Sequence, residues 1–358
     1  MSGYRLNELE MRAIEYYISN PELDDRVMCK LLSLKRNELR KLKARIFSRV
    51  LQQVVIPNYA FLGWELMYVV HGTPTKSLMN CAHDLKQKAR FQQNFTHLYL
   101  APNFFIGIGF ARNYTALLRE YEQLCISGTF SMESTHLIIF PNELITHLCF
   151  FDYTSLLGQS KAQPLQFENN RITTPQGNLC LEPLERRILY ALAQKPSASD
   201  REIARTGGTT VELVKRKRRM LQMQDVFYLR SIPDLEVLGY AGFAFYAMQI
   251  KHGRSKDAMR IIRRVCDVHP VFFCVSDANN AVFMCAIRTM DEVFEQDVAL
   301  RTIISGEDTG MTKSMCTEML FSEVKALCAN DFAGILQTHP EFIFGEKLED
   351  TTSEPERR

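Results

Sequence analysis

Apolar residues in the opening segment of the chain recur at helical spacing. Leu9, Ala13, Ile14, Tyr17 and Ile18 form one stripe, and Asn20-Pro21 ends it. A second helix is expected from about Asp25 to Leu32, with Asp24 as its N-cap, and a third from about Arg36 to Val50. The same scheme returns later. Leu184, Ile188, Leu189 and Leu192 make a stripe, Ser199 and Glu202 have capping-box spacing, "GGTT" supplies a turn, and a helix follows from Val211 to Met223. Three short helices with a tight turn before the third predict a helix-turn-helix. Behind each third helix, "VLQQVVIP" and "DVFYLRSIP" turn apolar and β-branched and read as the strands of a wing.

Beyond each wing the pattern reads strand, helix, strand, strand, helix, strand. In the first copy these are "WELMYVVHG", Thr75 to Phe91, "FTHLYLA", "FFIGIGFA", Tyr114 to Cys125 and "STHLIIF". In the second they are "GFAFYAMQIK", Asp257 to Val268, "VFFCVS", "AVFMCAIR", Met290 to Ile304 and "KSMCTEMLF". This order predicts an α+β fold: a four-stranded antiparallel sheet with helices on one face, the ferredoxin-like arrangement. The open sheet face needs cover, so sheet-to-sheet packing is expected, between the halves or between chains.

The two copies are a duplication. "IPNYAFLGW" (Ile56–Trp64) matches "IPDLEVLGY" (Ile232–Tyr240) at an offset of 176, and "ELRKLKAR" lies over "ELVKRKRR" at 174. Asp25-Arg26 and Glu10 align with Asp200-Arg201 and Glu185 at 175. The expected organisation is a winged helix-turn-helix over 1–57, a ferredoxin-like domain over 58–150 and a polar linker over 151–182. A second winged helix-turn-helix over 183–232, a second ferredoxin-like domain over 233–345 and a charged, flexible tail over 346–358 follow. The two halves would form a pseudo-dimer.

Overall charge changes little in this picture, because the formal net charge is only +2. Its distribution matters more. Between Lys35 and Arg49 there are seven basic residues against one acid, Glu38, and Lys215 to Arg219 are five consecutive bases. A basic third helix in both copies is the footprint of DNA binding. Arg36, Arg40, Lys41, Lys43 and Arg45 are the candidate contacts in one half. Lys215, Arg216, Lys217, Arg218 and Arg219 are those in the other, and Arg230 in the second wing is placed to touch phosphate. The ten cysteines contain no CxxC pair and sit among apolar neighbours, so they read as small core residues. No Gly-rich phosphate loop, HExxH or GxSxG segment is present, so no catalytic residue, metal or cofactor is expected. No apolar run approaches the roughly 18 residues of a membrane span, and the N-terminus has no signal layout. A cytoplasmic protein without a membrane partner is expected.

The domain order, the junctions Ile56–Trp64 and Ile232–Tyr240, and the basic third helices resemble the Lrp/AsnC family of transcription regulators. The resemblance implies a regulator rather than an enzyme, with double-stranded DNA as partner. It also implies an amino acid as small-molecule effector at the ferredoxin-like domains, and further pairing of the pseudo-dimeric chain into a homodimer. Because the two reading helices differ, the operator would be asymmetric or only pseudo-palindromic. The family's Gly-acid turn in the ligand domain is replaced here by "LAPNFF" and "SDANNAVF", and no effector residue is assigned.

Two other readings remain open on the same residues. Siroheme decarboxylases are built from the same two domain types and use a His early in the ferredoxin-like sheet. His97 in "FTHLY" and His269 in "DVHPVFF" stand near such a position, although a strand-end His making one hydrogen bond is the simpler account. A helix-turn-helix that serves only as an interaction module is the third reading. His71 and His252, each in an "HG" at the end of a first sheet strand, read as turn residues rather than a metal pair.

Overall fold

The computed structural model describes residues 6–87, 94–126, 130–157, 181–251, 260, 262, 265, 270–305 and 311–338. In the first half, α1 (Glu8–Ser19), α2 (Asp25–Leu32) and α3 (Arg36–Arg49) precede β1 (Leu51–Pro57). The sheet elements follow: β2 (Leu66–Pro74), α4 (Leu78–Gln87), β3 (Phe95–Leu100), β4 (Phe105–Ala111), α5 (Tyr114–Ile126), β5 (Phe130–Pro141) and the short β6 (His147–Cys149). The second half repeats the series in its described residues; the helix expected over Asp257–Val268 lies outside them but for residues 260, 262 and 265. It runs through α6 (Pro183–Gln194), α7 (Asp200–Gly207), α8 (Val211–Met223), β7 (Phe227–Pro233), β8 (Gly242–Ile250), β9 (Val271–Ser276), β10 (Asn280–Ile287), α9 (Met290–Ser305), β11 (Met311–Leu320), β12 (Lys325–Cys328) and α10 (Phe332–Gln337).

Local chemistry sets the helix ends. Asn7 and Glu10 form a reciprocal capping box on α1, and Ser199 with Glu202 forms the expected one on α7. The turn between second and third helices requires a left-handed residue in both copies, Ser33 at φ 55° and Gly208 at φ 61°. The repeated "LG" junction has the same origin. Gly63 and Gly239 sit at φ 89° and 85°, after which Trp64 and Tyr240 each lie under an arginine, Arg112 at 4.9 Å and Arg288 at 5.0 Å.

The wing strands form as predicted but build no separate wings. β1 pairs antiparallel with β7 along its whole length, Leu51 opposite Pro233 through Pro57 opposite Phe227. Two copies of one strand related by a pseudo-two-fold axis satisfy each other's hydrogen-bonding edges, so the ribbon ties the halves together.

Each sheet has the strand order of a ferredoxin-like domain plus one strand from the other half. The first sheet runs β12-β3-β4-β2-β5 and the second β11-β8-β10-β9-β6. The exchange is reciprocal: β6 leaves the first half to pair with β9, and β12 leaves the second to pair with β3. After each exchanged strand the backbone turns through a left-handed residue, Phe151 (φ 48°) or Asn330 (φ 60°). Asp152 and Asp331 follow, and their N–H groups donate to Phe272 and Thr96 carbonyls. An aspartate then opens a short helical segment, Thr154–Leu157 in one arm and α10 in the other.

One face of each sheet is covered by its own helices; the other faces meet in one continuous core that also takes in both helix-turn-helix units. Tyr99 packs on Phe243 at 5.2 Å and Phe104 on Phe245 at 5.8 Å across the seam, which is the sheet-to-sheet cover the sequence requires. His97 stands at its centre, fully buried, stacked on Phe151 at 3.6 Å and hydrogen-bonded to Asn330, so both exchanged arms close on it.

Candidate functional site

A small, open cleft lies where the β1–β7 ribbon meets the first sheet and the arm crossing to the second. Ile56 and Pro57 of β1, Phe110 of β4, and Leu148 and Phe150 of the arm give it an apolar wall that includes two aromatic rings. Two polar side chains enter it from β7, Tyr228 and Arg230. They are two residues apart on one strand, so the pleat points both the same way.

Asn58, fully buried, fixes the hydroxyl's surroundings. Its Oδ1 accepts the Phe61 N–H at 3.2 Å, which leaves the amide hydrogens of Nδ2 for the Asp225 carbonyl at 3.1 Å and the Tyr228 oxygen at 3.3 Å. Tyr228 therefore accepts from Asn58 and keeps its own proton for donation elsewhere. Burial pushes its pKa up to about 12, with the Asp225 carboxylate adding to the rise and Arg230 opposing it. The cleft thus holds a neutral proton donor beside a fixed cation on an apolar surface.

The duplicated positions lack this set. At the repeat offset of 176, Gln52 and Val54 stand in for Tyr228 and Arg230, and Ala286 for Phe110; in the arm, Ala329 stands for Phe150. The chemistry belongs to one side of the pseudo-dimer.

The residues expected on DNA are distributed differently. Lys43 pairs with Asp25 at 2.9 Å and Arg45 with the buried Glu10 at 3.1 Å. Lys217 pairs with Glu182 at 2.7 Å and Glu185 at 2.9 Å, and Arg218 with Asp200 at 3.2 Å. Four of the basic residues thus clamp third helices to the first and second helices of their own units. The Lys217 side chain is only 15% exposed, and its two carboxylate partners hold its pKa above the ordinary lysine value. Arg36, Arg40, Lys41, Lys215, Arg216 and Arg219 lie exposed on helix surfaces, and Arg230 is in the cleft.

His97 does not fit the role of a tetrapyrrole histidine. Its Nδ1 meets Thr96 Oγ1 at 3.0 Å and its Nε2 meets Asn330 Oδ1 at 3.0 Å, so neither nitrogen is open. Burial drives its pKa down to about 3. Its repeat counterpart is Phe273, paired across from Met284 as His97 is from Ile108. His252 and His269 lie outside the described residues.

The whole architecture has solved counterparts. The crystal structure of the siroheme decarboxylase NirDL matches 92% of this chain and 98% of its own, at a TM-score of 0.53 and 11% sequence identity. NirDL in co-complex with an iron-uroporphyrin III analogue matches 93% and 98%, at the same TM-score and 12% identity. E. coli AsnC aligns with 40% of the chain at a TM-score of 0.31 and 16% identity, too partial a likeness to carry an argument. No family model and no curated relative matches the sequence.

These likenesses establish the fold, the duplicated α+β architecture that NirDL shares. They also correct the expectation of a DNA-reading regulator that is not an enzyme, since the counterpart matched from end to end is an enzyme. The physical reason for the misreading is the ion pairing above: part of the charge on both third helices is internal clamping. Sequence reasoning also missed Tyr228, Asn58, Phe110 and Phe150. The alternation Tyr228-Leu229-Arg230 could have placed the first of these beside Arg230. Among the described residues, no helix is long and apolar enough to cross a membrane.

Proposed function

We propose that this chain binds an acidic tetrapyrrole of the siroheme class in the ribbon cleft and decarboxylates a carboxymethyl side chain of it. The observation that carries the reading is the convergence of Tyr228 and Arg230 on one apolar cleft that presents the rings of Phe110 and Phe150. Flat macrocycles favour aromatic walls, and a guanidinium binds carboxylate in bidentate fashion. The full-length likeness to a siroheme decarboxylase supports the same assignment. In this reading Arg230 orients the carboxylate to be lost. As the carbon–carboxylate bond breaks, its electron pair passes into the ring system and carbon dioxide leaves. The Tyr228 hydroxyl then protonates the carbon, leaving a methyl group, and the phenolate, held by the Asn58 amide, recovers a proton from solvent.

The test is anaerobic titration with siroheme, followed by the Soret band and by mass spectrometry of the pigment. Tight binding with loss of carbon dioxide, binding weakened in Arg230→Gln, and turnover lost but binding kept in Tyr228→Phe are the expected results. Absence of any Soret change with siroheme or iron–uroporphyrin overturns the proposal.

A further inference from the structure

A second cluster lies at the other end of the first sheet. His71 and His136 are direct cross-strand partners on β2 and β5. His71 follows Met67 and Val69 on the strand face turned to the second sheet, and its ring packs against Phe104 at 6.0 Å and Phe245 at 5.2 Å. The two imidazole centroids are 5.2 Å apart with planes inclined at 33°. His136 is exposed, whereas His71 is only 3% exposed and its Nδ1 has no hydrogen-bond partner. A buried imidazole nitrogen with no partner is costly unless something binds it.

Zinc–imidazole bonds are about 2.0–2.1 Å, so two rings in a tetrahedral shell have centroids about 5 Å apart. The observed pair already has that spacing. We propose that His71 and His136 form a two-imidazole site for a divalent transition-metal cation of the zinc class, completed by solvent at the edge of the sheet sandwich. Imidazole is the ligand such cations share. Among the described residues no cluster of three or more histidines, cysteines or acids is present, so the described residues supply two ligands. Burial, and secondarily His136, lowers the His71 pKa to about 4, which keeps its ring neutral and open to ligation at neutral pH. The site is also one-sided: the repeat places Ala247 and Met315 at the equivalent positions, themselves cross-strand partners.

This site is independent of the tetrapyrrole cleft. Met67, opposite Phe110 of the cleft, is four residues along β2 from His71, roughly 13 Å at strand rise. The experiment is titration of the metal-free full chain with Co²⁺, read by visible absorption, and with Zn²⁺, read by calorimetry. One equivalent should bind with a nitrogen–oxygen cobalt spectrum, and His136→Ala, an exposed change that leaves the core intact, should weaken it at least tenfold. His71→Gln should do the same. Siroheme titration of His136→Ala should match the unaltered protein. The proposal is overturned by no binding in the micromolar range, by a thiolate-to-cobalt band, by unchanged affinity in His136→Ala, or by loss of the siroheme response in that variant.

Discussion

Phe151 tests whether the exchanged arms hold the two halves together. It is fully buried among His97, Phe150, Phe272 and Phe273, yet its backbone is left-handed at φ 48°. Removing a buried Phe side chain to Ala costs about 3–5 kcal/mol. The left-handed backbone costs a residue with a Cβ about 1–2 kcal/mol, and Ala keeps that strain. Gly relieves it but loses about 0.5–1 kcal/mol in backbone entropy. Phe151→Ala should therefore destabilise by about 3–5 kcal/mol, and Phe151→Gly should be equal to it or up to ~1.5 kcal/mol more stable, reversing the usual order of these residues. Urea unfolding followed by fluorescence reads this cleanly, because Trp64 is the single tryptophan and is buried in the shared core. Far-UV circular dichroism should shift by the same amount, since the arm belongs to both sheets. A cost below ~1 kcal/mol for Phe151→Ala, or a fluorescence midpoint that stays while the dichroism midpoint moves, would refute the reasoning.

Other outcomes follow from the same structure. His97 and His71 have pKa values lowered to about 3 and 4, so the unfolded chain binds protons there that the folded chain refuses. Their contribution is fully present above about pH 6.5 and is lost as pH falls toward those values; His97→Phe, the residue of the second copy, should flatten that acid loss in unfolding titrations. Lys217 has the opposite sign, a raised pKa, so its stabilisation is full below the unfolded value and disappears at strongly alkaline pH; Lys217→Met should remove the alkaline part of the melting profile. Arg230→Gln should weaken siroheme binding about 10–100-fold, the worth of one charge-assisted hydrogen bond, measured by the Soret titration; no change would remove the guanidinium from the site.

The duplication, both helix-turn-helix units and the βαββαβ order were legible because they rest on local periodicity and on repeated turn residues such as Gly63 and Gly239. The exchange of arms was also written in the sequence and was missed. "LCFFD" (Leu148–Asp152) and "LCAND" (Leu327–Asp331) repeat at an offset of 179, but the first falls across the expected linker boundary at 151. The ribbon was hidden for another reason: which edge a strand such as β1 meets is a long-range choice that its own residues do not encode. Charge misled most. A lysine such as Lys217 looks the same in sequence whether it faces phosphate or the buried Glu185, because only the packing of α8 on α6 decides it. Tyr228 and His136, whose proposed roles each need a neighbour from another element, could not be singled out by spacing alone.

Joining the two copies in one chain has a consequence for how such a protein can change. A dimer of separate chains loses its shared core on dilution and must carry every substitution twice. Here the partner is always present, whatever the concentration, because the second half is tethered. One copy can therefore carry Tyr228 and Arg230 while the other carries Gln52 and Val54, and neither set has to be tolerated at both places.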